Sequence, residues 1–345
     1  MDTARKDAIT AWFAALCFFL STLEYLIPKP LPFLRLGLAN LPIMLAIAVL
    51  PPKQFLALVL AKILGQGLIG GTLFSYIFAF SAVGTVASAL VMYALGKAFR
   101  RSVSFVGISV AGAFASNAAQ LTLARWYIFG ESAWYIAPPF CAVGVVTGAA
   151  LGIFANHYAR ASTWYRAVRE GKLVSPREAG TAAGAGSLAA EGLWRSAALR
   201  VPCGIALIVA LMFSGGIPAR AAIAAGALFL ALADRSRIRV VPAIAMALSV
   251  VAFNLAVPFG KVLVSPFGIP ITAGALEAGI KKALEIEGML FVSKWMLKPG
   301  IRLPGKAGTL VSEAFGIVGA LTAGRKRIDP RNLVASLDAI MSERG

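Results

Sequence analysis

Seven polar side chains fall where the surrounding residues are apolar enough to lie in lipid: Glu24, Arg35, Asn40, Lys62, Gln66, Asn117 and Gln120. A charge at the centre of a span costs roughly 2.5 to 3.5 kcal/mol on insertion scales, so such groups face a cavity or one another. Asn117 and Gln120 are three residues apart and share a helix face, whereas Arg125 lies nearer the outer boundary of the same helix. The cations Arg35, Lys62 and Arg125 outnumber the acid Glu24, which suits capture of a small anionic or amphiphilic substrate. The same groups could instead satisfy each other, Glu24 pairing with Arg35 or Lys62, and Asn117 and Gln120 acting as glue between helices.

Other patterns point to chemistry and fail their physical requirements. Gly65, Gly67 and Gly70 in "LGQGLIGG" spell G-x-G-x-x-G. A dinucleotide site needs a strand before the glycines and a carboxylate about 20 residues on. Here a helical span precedes them, and no Asp or Glu occurs between Glu24 and Glu131. Gly67 and Gly71 match the small-xxx-small spacing of closely packed membrane helices, and Ala11 with Ala15 repeats it on the first span. These four are the candidate helix-docking residues: Gly67 and Gly71 serve packing and the turn into the fourth helix, and Ala11 and Ala15 face either their own bundle, another membrane subunit or the second half of the chain. The aspartates Asp2, Asp7, Asp234, Asp329 and Asp338 are isolated, so no paired carboxylate cluster for magnesium and diphosphate forms by adjacency. His157 has no nearby metal-ligand companions, and Cys17, Cys141 and Cys203 are widely separated in apolar runs. No enzyme, cofactor or metal site is expected.

The elements that must position these groups are spans. Of 345 residues, 59% are hydrophobic and 14% charged, with a mean hydropathy of +0.80. The apolar residues fall in blocks of about 18 to 25, the length that crosses a hydrocarbon layer of ~30 Å. Six blocks occupy the first half, at 8–27, 37–50, 54–73, 74–96, 104–129 and 136–159. The second is short and contains Pro42, which predicts a tilted, broken or re-entrant segment. The net charge of +18 resides between blocks, so it reads as topology and lipid contact, with no patch for nucleic acid. Lys53, Lys97, Arg100, Arg101 and the basic run after 160 place both ends of this half in the cytoplasm, hence a multi-pass protein of the cytoplasmic (inner) membrane. Trp126, Tyr127, Trp134 and Tyr135 suit an outer aromatic belt.

Residues 171–192 are rich in Gly, Ala, Ser and charge and read as a flexible linker. Apolar blocks resume at 196–214, 219–233, 238–260 and 270–297; 307–324 suits either a short span or an interfacial helix. The expected division is a six-helix membrane domain (1–170), the linker, and a second helical membrane domain with a cytoplasmic tail (193–345). Glu277, Lys281, Lys282 and Glu285 form a polar stripe suited to solvent or to the first half.

The segments "LEYLIPKPLPFLRLGLANLPIMLAIAVL", "LAKILGQGLIGGTLFSYIFAFSAVG" and "VGISVAGAFASNAAQLTLA", with G-L-A-N-L at 37–41 and N-x-x-Q at 117–120, resemble the Gx transporter family, also labelled heptaprenyl diphosphate synthase component I. The resemblance covers about residues 8–160. It implies a bundle similar to the substrate-binding S components of energy-coupling factor transporters, in which an A-x-x-x-A on the first helix docks a transmembrane T component. The second half weakly resembles that T component, implying ATPase or T-component partners. It lacks the two Ala-Arg-Gly coupling motifs, "TAGRKR" at 322–327 being the nearest match. The alternative is a non-catalytic membrane subunit or assembly factor for a polyprenyl diphosphate-synthesising or redox complex.

Overall fold

The computed structural model describes residues 3–26, 37–99, 102–172, 187–236, 238, 240–265, 270–297, 305–323, 335–336 and 338–339. The fold is that of an all-α membrane protein. Among the described residues, four helical stretches are long and apolar enough to cross a membrane: 5–24, 52–70, 76–98 and 105–161. Their outer faces expose Leu56, Leu90, Phe114, Val146 and Ile153, an apolar girdle that water would not tolerate.

Helix α1 (Thr3–Leu26) is the axis of the first half, with 9–20 buried throughout. Helix α3 (Pro52–Gly70) lies along it in the same direction, because Phe18 meets Gly65 and Ser21 meets Gln66. The chain between them must therefore return across the bundle. Among its described residues the regular structure is a 3-10 turn (Leu38–Asn40) and a six-residue α2 (Leu41–Ala46), which has Pro42 in its first turn and is buried along its whole length. The second of the six expected crossings is thus a broken segment, since α2 alone spans only ~9 Å. Irregular backbone at this depth is tolerable because it is enclosed by protein.

Helices α4 (Tyr76–Ala98), α5 (Phe105–Ala124) and α6 (Ala133–Ala161) follow in antiparallel order. A π turn (Arg125–Phe129) and a 3-10 turn join the last two. On α6, Gly144, Gly148 and Gly152 recur every fourth residue and face α5; a Cβ at Gly152 would overlap the Val106 backbone and lie 2.9 Å from the Phe105 carbonyl. The amphipathic α7 (Thr163–Glu170) tucks Trp164 against Phe13 and bonds the Tyr165 hydroxyl to the Leu45 carbonyl at 3.0 Å. Asp338 caps it from the C-terminal tail, accepting from the Thr163 and Trp164 amides at 3.0 Å and from the Ser162 and Thr163 hydroxyls. Partial burial pushes the Asp338 carboxyl pKa up, but these hydrogen bonds outweigh it and hold the group below its ordinary value.

The second half packs α8 (Ser187–Phe213), α9 (Ile217–Ala233) and α10 (Val240–Leu255) around α11 (Ala273–Met296). The residues expected to end the linker, 187–192, already belong to α8, while 173–186 lie outside the described residues. A short antiparallel strand pair, the exposed β1 (Val262–Val264) with β2 (Ile271–Thr272), whose Thr272 is buried, precedes α11. Helix α12 (Gly305–Ala323) is no isolated element. It packs on α1 and α3, burying Val311, Ala314 and Ile317 and placing the Phe315 ring 5.2 Å from Phe18. Ala11 and Ala15 are buried inside the chain, on a helix that α2, α3 and α12 surround.

Candidate functional site

Helices α3 and α4 pair so that two polar rungs face each other. Lys62 Nζ donates to Thr85 Oγ1 at 3.3 Å, and one turn on, Ser81 Oγ donates to Gln66 Oε1 at 3.2 Å. Each helix supplies its pair at a spacing of four, the interval that keeps two side chains on one face. Asn40, at the end of the 3-10 turn, accepts a second hydrogen bond from Lys62 through Oδ1. From α1, Ser21 Oγ accepts from Gln66 Nε2 at 2.9 Å, and Cys17 lies one turn before it within electrostatic reach of Lys62. Lys62 is 3% exposed. A buried ammonium thus meets an amide and a hydroxyl drawn from separate elements, with a second amide one turn away.

Gln120 extends the seam from α5. It donates to Ser116 Oγ at 2.8 Å, and Gly84 admits it, because a Cβ there would overlap the Gln120 amide. Ser88, fully buried, continues the polar face of α4. Asn117 is not part of this set: it turns to α6 and donates to the Phe140 carbonyl at 2.9 Å beside Gly144. Glu24 is buried near the C-terminal end of α1, and Arg35 lies outside the described residues. Gly67 packs on Leu73 and Phe78 within the α3–α4 turn. Gly71 ends α3 at φ +61°, where a side chain would be strained, and the Lys294 side chain of α11 rests on it. Its carbonyl accepts from Ser293 Oγ at 2.9 Å, and that same Oγ accepts from the Phe74 amide at 3.1 Å.

A second buried polar cluster joins the halves. Glu285 on α11 accepts from Arg220 of α9 at 2.9 Å, from Lys282 at 3.2 Å and from the Tyr127 hydroxyl at 2.7 Å. Lys282 also sits 4.3 Å from the centre of the Tyr127 ring. Tyr127 is therefore drawn inward, while Trp126, Trp134 and Tyr135 remain exposed. The stripe on α11 divides: Glu277 and Lys281 pair at 2.7 Å on the more open side, and Lys282 with Glu285 faces the first half. The sequence reading missed Arg220 and Tyr127 as partners. Among the described residues, no group of three or more His, Cys, Asp or Glu could hold a metal ion.

Residues 13–158 match the family model described as heptaprenyl diphosphate synthase component I, the family that the N-terminal motifs resemble. Residues 196–299 match a family described as a domain of unknown function. No curated protein and no solved structure matches the chain. The first match takes in α3–α5 entirely, with Asn40 and most of α1, and so contains every residue of the polar seam; Arg220 and Glu285 fall in the second.

Proposed function

We propose that the first half captures a small anionic or amphiphilic molecule at the Lys62 seam, and that the second half is a built-in scaffold or coupler for its movement across the cytoplasmic membrane. The observation that carries this reading is the convergence of Lys62, Asn40, Gln66, Thr85 and Gln120 in the interior of an apolar bundle. Burying an ammonium and two amides there costs far more than filling the space with Leu or Val. A cationic head with hydrogen-bonding neighbours suits a carboxylate or phosphate, and the apolar walls of α1 and α4 suit a hydrophobic tail. Coupling is internal in this reading: α12 lies along α1, and α11 holds the α3–α4 turn through Ser293. The chain needs no catalysis of its own.

Ligand-dependent thermal stabilisation of the detergent-purified protein tests this. Isoprenoid diphosphates, flavin precursors and vitamin carboxylates form the panel. At least one is expected to raise the melting temperature of the wild type and of Asn117→Ala, and to leave Lys62→Ala unmoved. A panel that shifts none of the three, or shifts Lys62→Ala as much as the wild type, contradicts capture at this seam.

The family description favours a second reading, that of a membrane partner in polyprenyl diphosphate synthesis, because a "component I" implies another component. Affinity purification from native membranes separates the two. A transporter co-purifies with ATPases or alone, whereas a partner subunit brings down a soluble prenyl-transferring enzyme.

A further inference from the structure

Glu287 lies two residues beyond Glu285 on α11 and is 8% exposed, yet it has none of its neighbour's partners. Both carboxyl oxygens are buried and neither has a hydrogen-bond partner. Two residues turn a helix by about 200°, so Glu287 faces away from the Arg220 cluster. From α4, Tyr76 lies within electrostatic reach; from its own helix, Lys294 does, without hydrogen-bonding to either oxygen. Among the described residues, the other elements around α11 bring no acid or base to it. Arg220 of α9 is bound to Glu285, Arg200 of α8 to Asp234, and α10 and β2 carry no ionisable side chain. An ionised carboxylate taken out of water without partners costs several kcal/mol, and the cheapest remedy is a proton.

We propose that Glu287 is a proton-binding site at the junction of the two halves, neutral while α4 and α11 are in contact. The ligand is H⁺ and the step is the reversible conversion of the carboxylate to the carboxylic acid. Losing the proton leaves a bare negative charge beside Tyr76 and weakens the contact between α4 and α11. The site does not depend on the capture reading, since it is occupied whether or not the Lys62 seam holds a ligand.

Infrared difference spectroscopy of the ligand-free, full-length protein in detergent reads the proton directly. The wild type is expected to show the C=O stretch of a protonated carboxylic acid at neutral pH. That band should disappear in Glu287→Gln and persist in Glu24→Gln. Raising the pH should lower the thermal stability of the wild type while leaving Glu287→Gln flat over the same range. A wild type without the band, or a band retained in Glu287→Gln, overturns the proposal. So does a band that sodium ions abolish, since the site would then be one for a metal cation. If Glu287→Gln does not fold, the wild type treated with dicyclohexylcarbodiimide, which modifies protonated carboxyls, decides. An adduct mapped to Glu287 supports the proposal and an unmodified Glu287 overturns it.

Discussion

Arg220→Ala is the sharpest test of how the two halves are joined. Its guanidinium donates to the Ser214 carbonyl at 2.9 Å, to Met212 and Lys281 carbonyls at 3.3 and 3.2 Å, and to Glu285 at 2.9 Å. The Arg220 and Glu285 side chains are 13% and 6% exposed. Removing one member of a buried ion pair costs about 3 to 5 kcal/mol, because the other charge stays behind. Lys282 and Tyr127 still reach Glu285, so the low end applies, about 3 kcal/mol or two decades in the folding equilibrium. Arg220→Met with Glu285→Gln removes both charges, leaves the Tyr127 hydroxyl an amide oxygen to bond, and should recover all but about 1 kcal/mol. Unfolding in mixed micelles of increasing denaturing detergent, followed by tryptophan fluorescence, supplies both numbers. A loss below about 0.5 kcal/mol for Arg220→Ala, typical of an exposed pair, would refute the reasoning by showing that the cluster is hydrated.

Two further changes probe other joints. Gly152→Leu should cost about 1 to 3 kcal/mol in the same assay, because its side chain has only the Val106 backbone to enter; a silent substitution would mean that α5 and α6 are not in close contact. Asp338→Ala should cost about 1 kcal/mol, the worth of a helix cap, and should speed protease cleavage of the C-terminal tail. Because the Asp338 pKa is held below its unfolded value of about 3.9, the latch contributes fully above that pH. Tail protection should therefore be constant around neutrality and fail only as the pH falls through the folded-state value. Loss of protection on mild acidification to about pH 6 would contradict this sign.

Where block length and charge decide an element, the sequence was legible. The helical spans follow from apolar runs bounded by Lys and Arg, and Pro42 announced the broken second crossing. Lys62 and Gln66 were legible as polar residues within one span, but not their opposite numbers, because the register that sets Thr85 against Lys62 and Ser81 against Gln66 is a property of two helices. Asn117 and Gln120 looked like one pair at a spacing of three, yet the packing of α5 between α4 and α6 sends them to opposite neighbours. Arg220 was hidden as one more basic residue near a turn, and Tyr127 as one more belt aromatic. Glu287 escaped notice because the i, i+4 stripe on α11 drew attention to the other face. The glycines at 144, 148 and 152 did carry a signal, a G-x-x-x-G repeat, that the sequence reading left unused.

The central claim is that the Lys62 seam is a ligand site rather than a sealed knot of side chains. An experimental density map of the protein purified from its native membrane tests it most directly. The account predicts non-protein density on α3 and α4, with an oxygen-bearing group at hydrogen-bond distance from Lys62 Nζ and Asn40 or Thr85 displaced to admit it. A seam in which Lys62 remains bonded to Asn40 and Thr85, both as purified and after saturation with isoprenoid and vitamin anions, would contradict it.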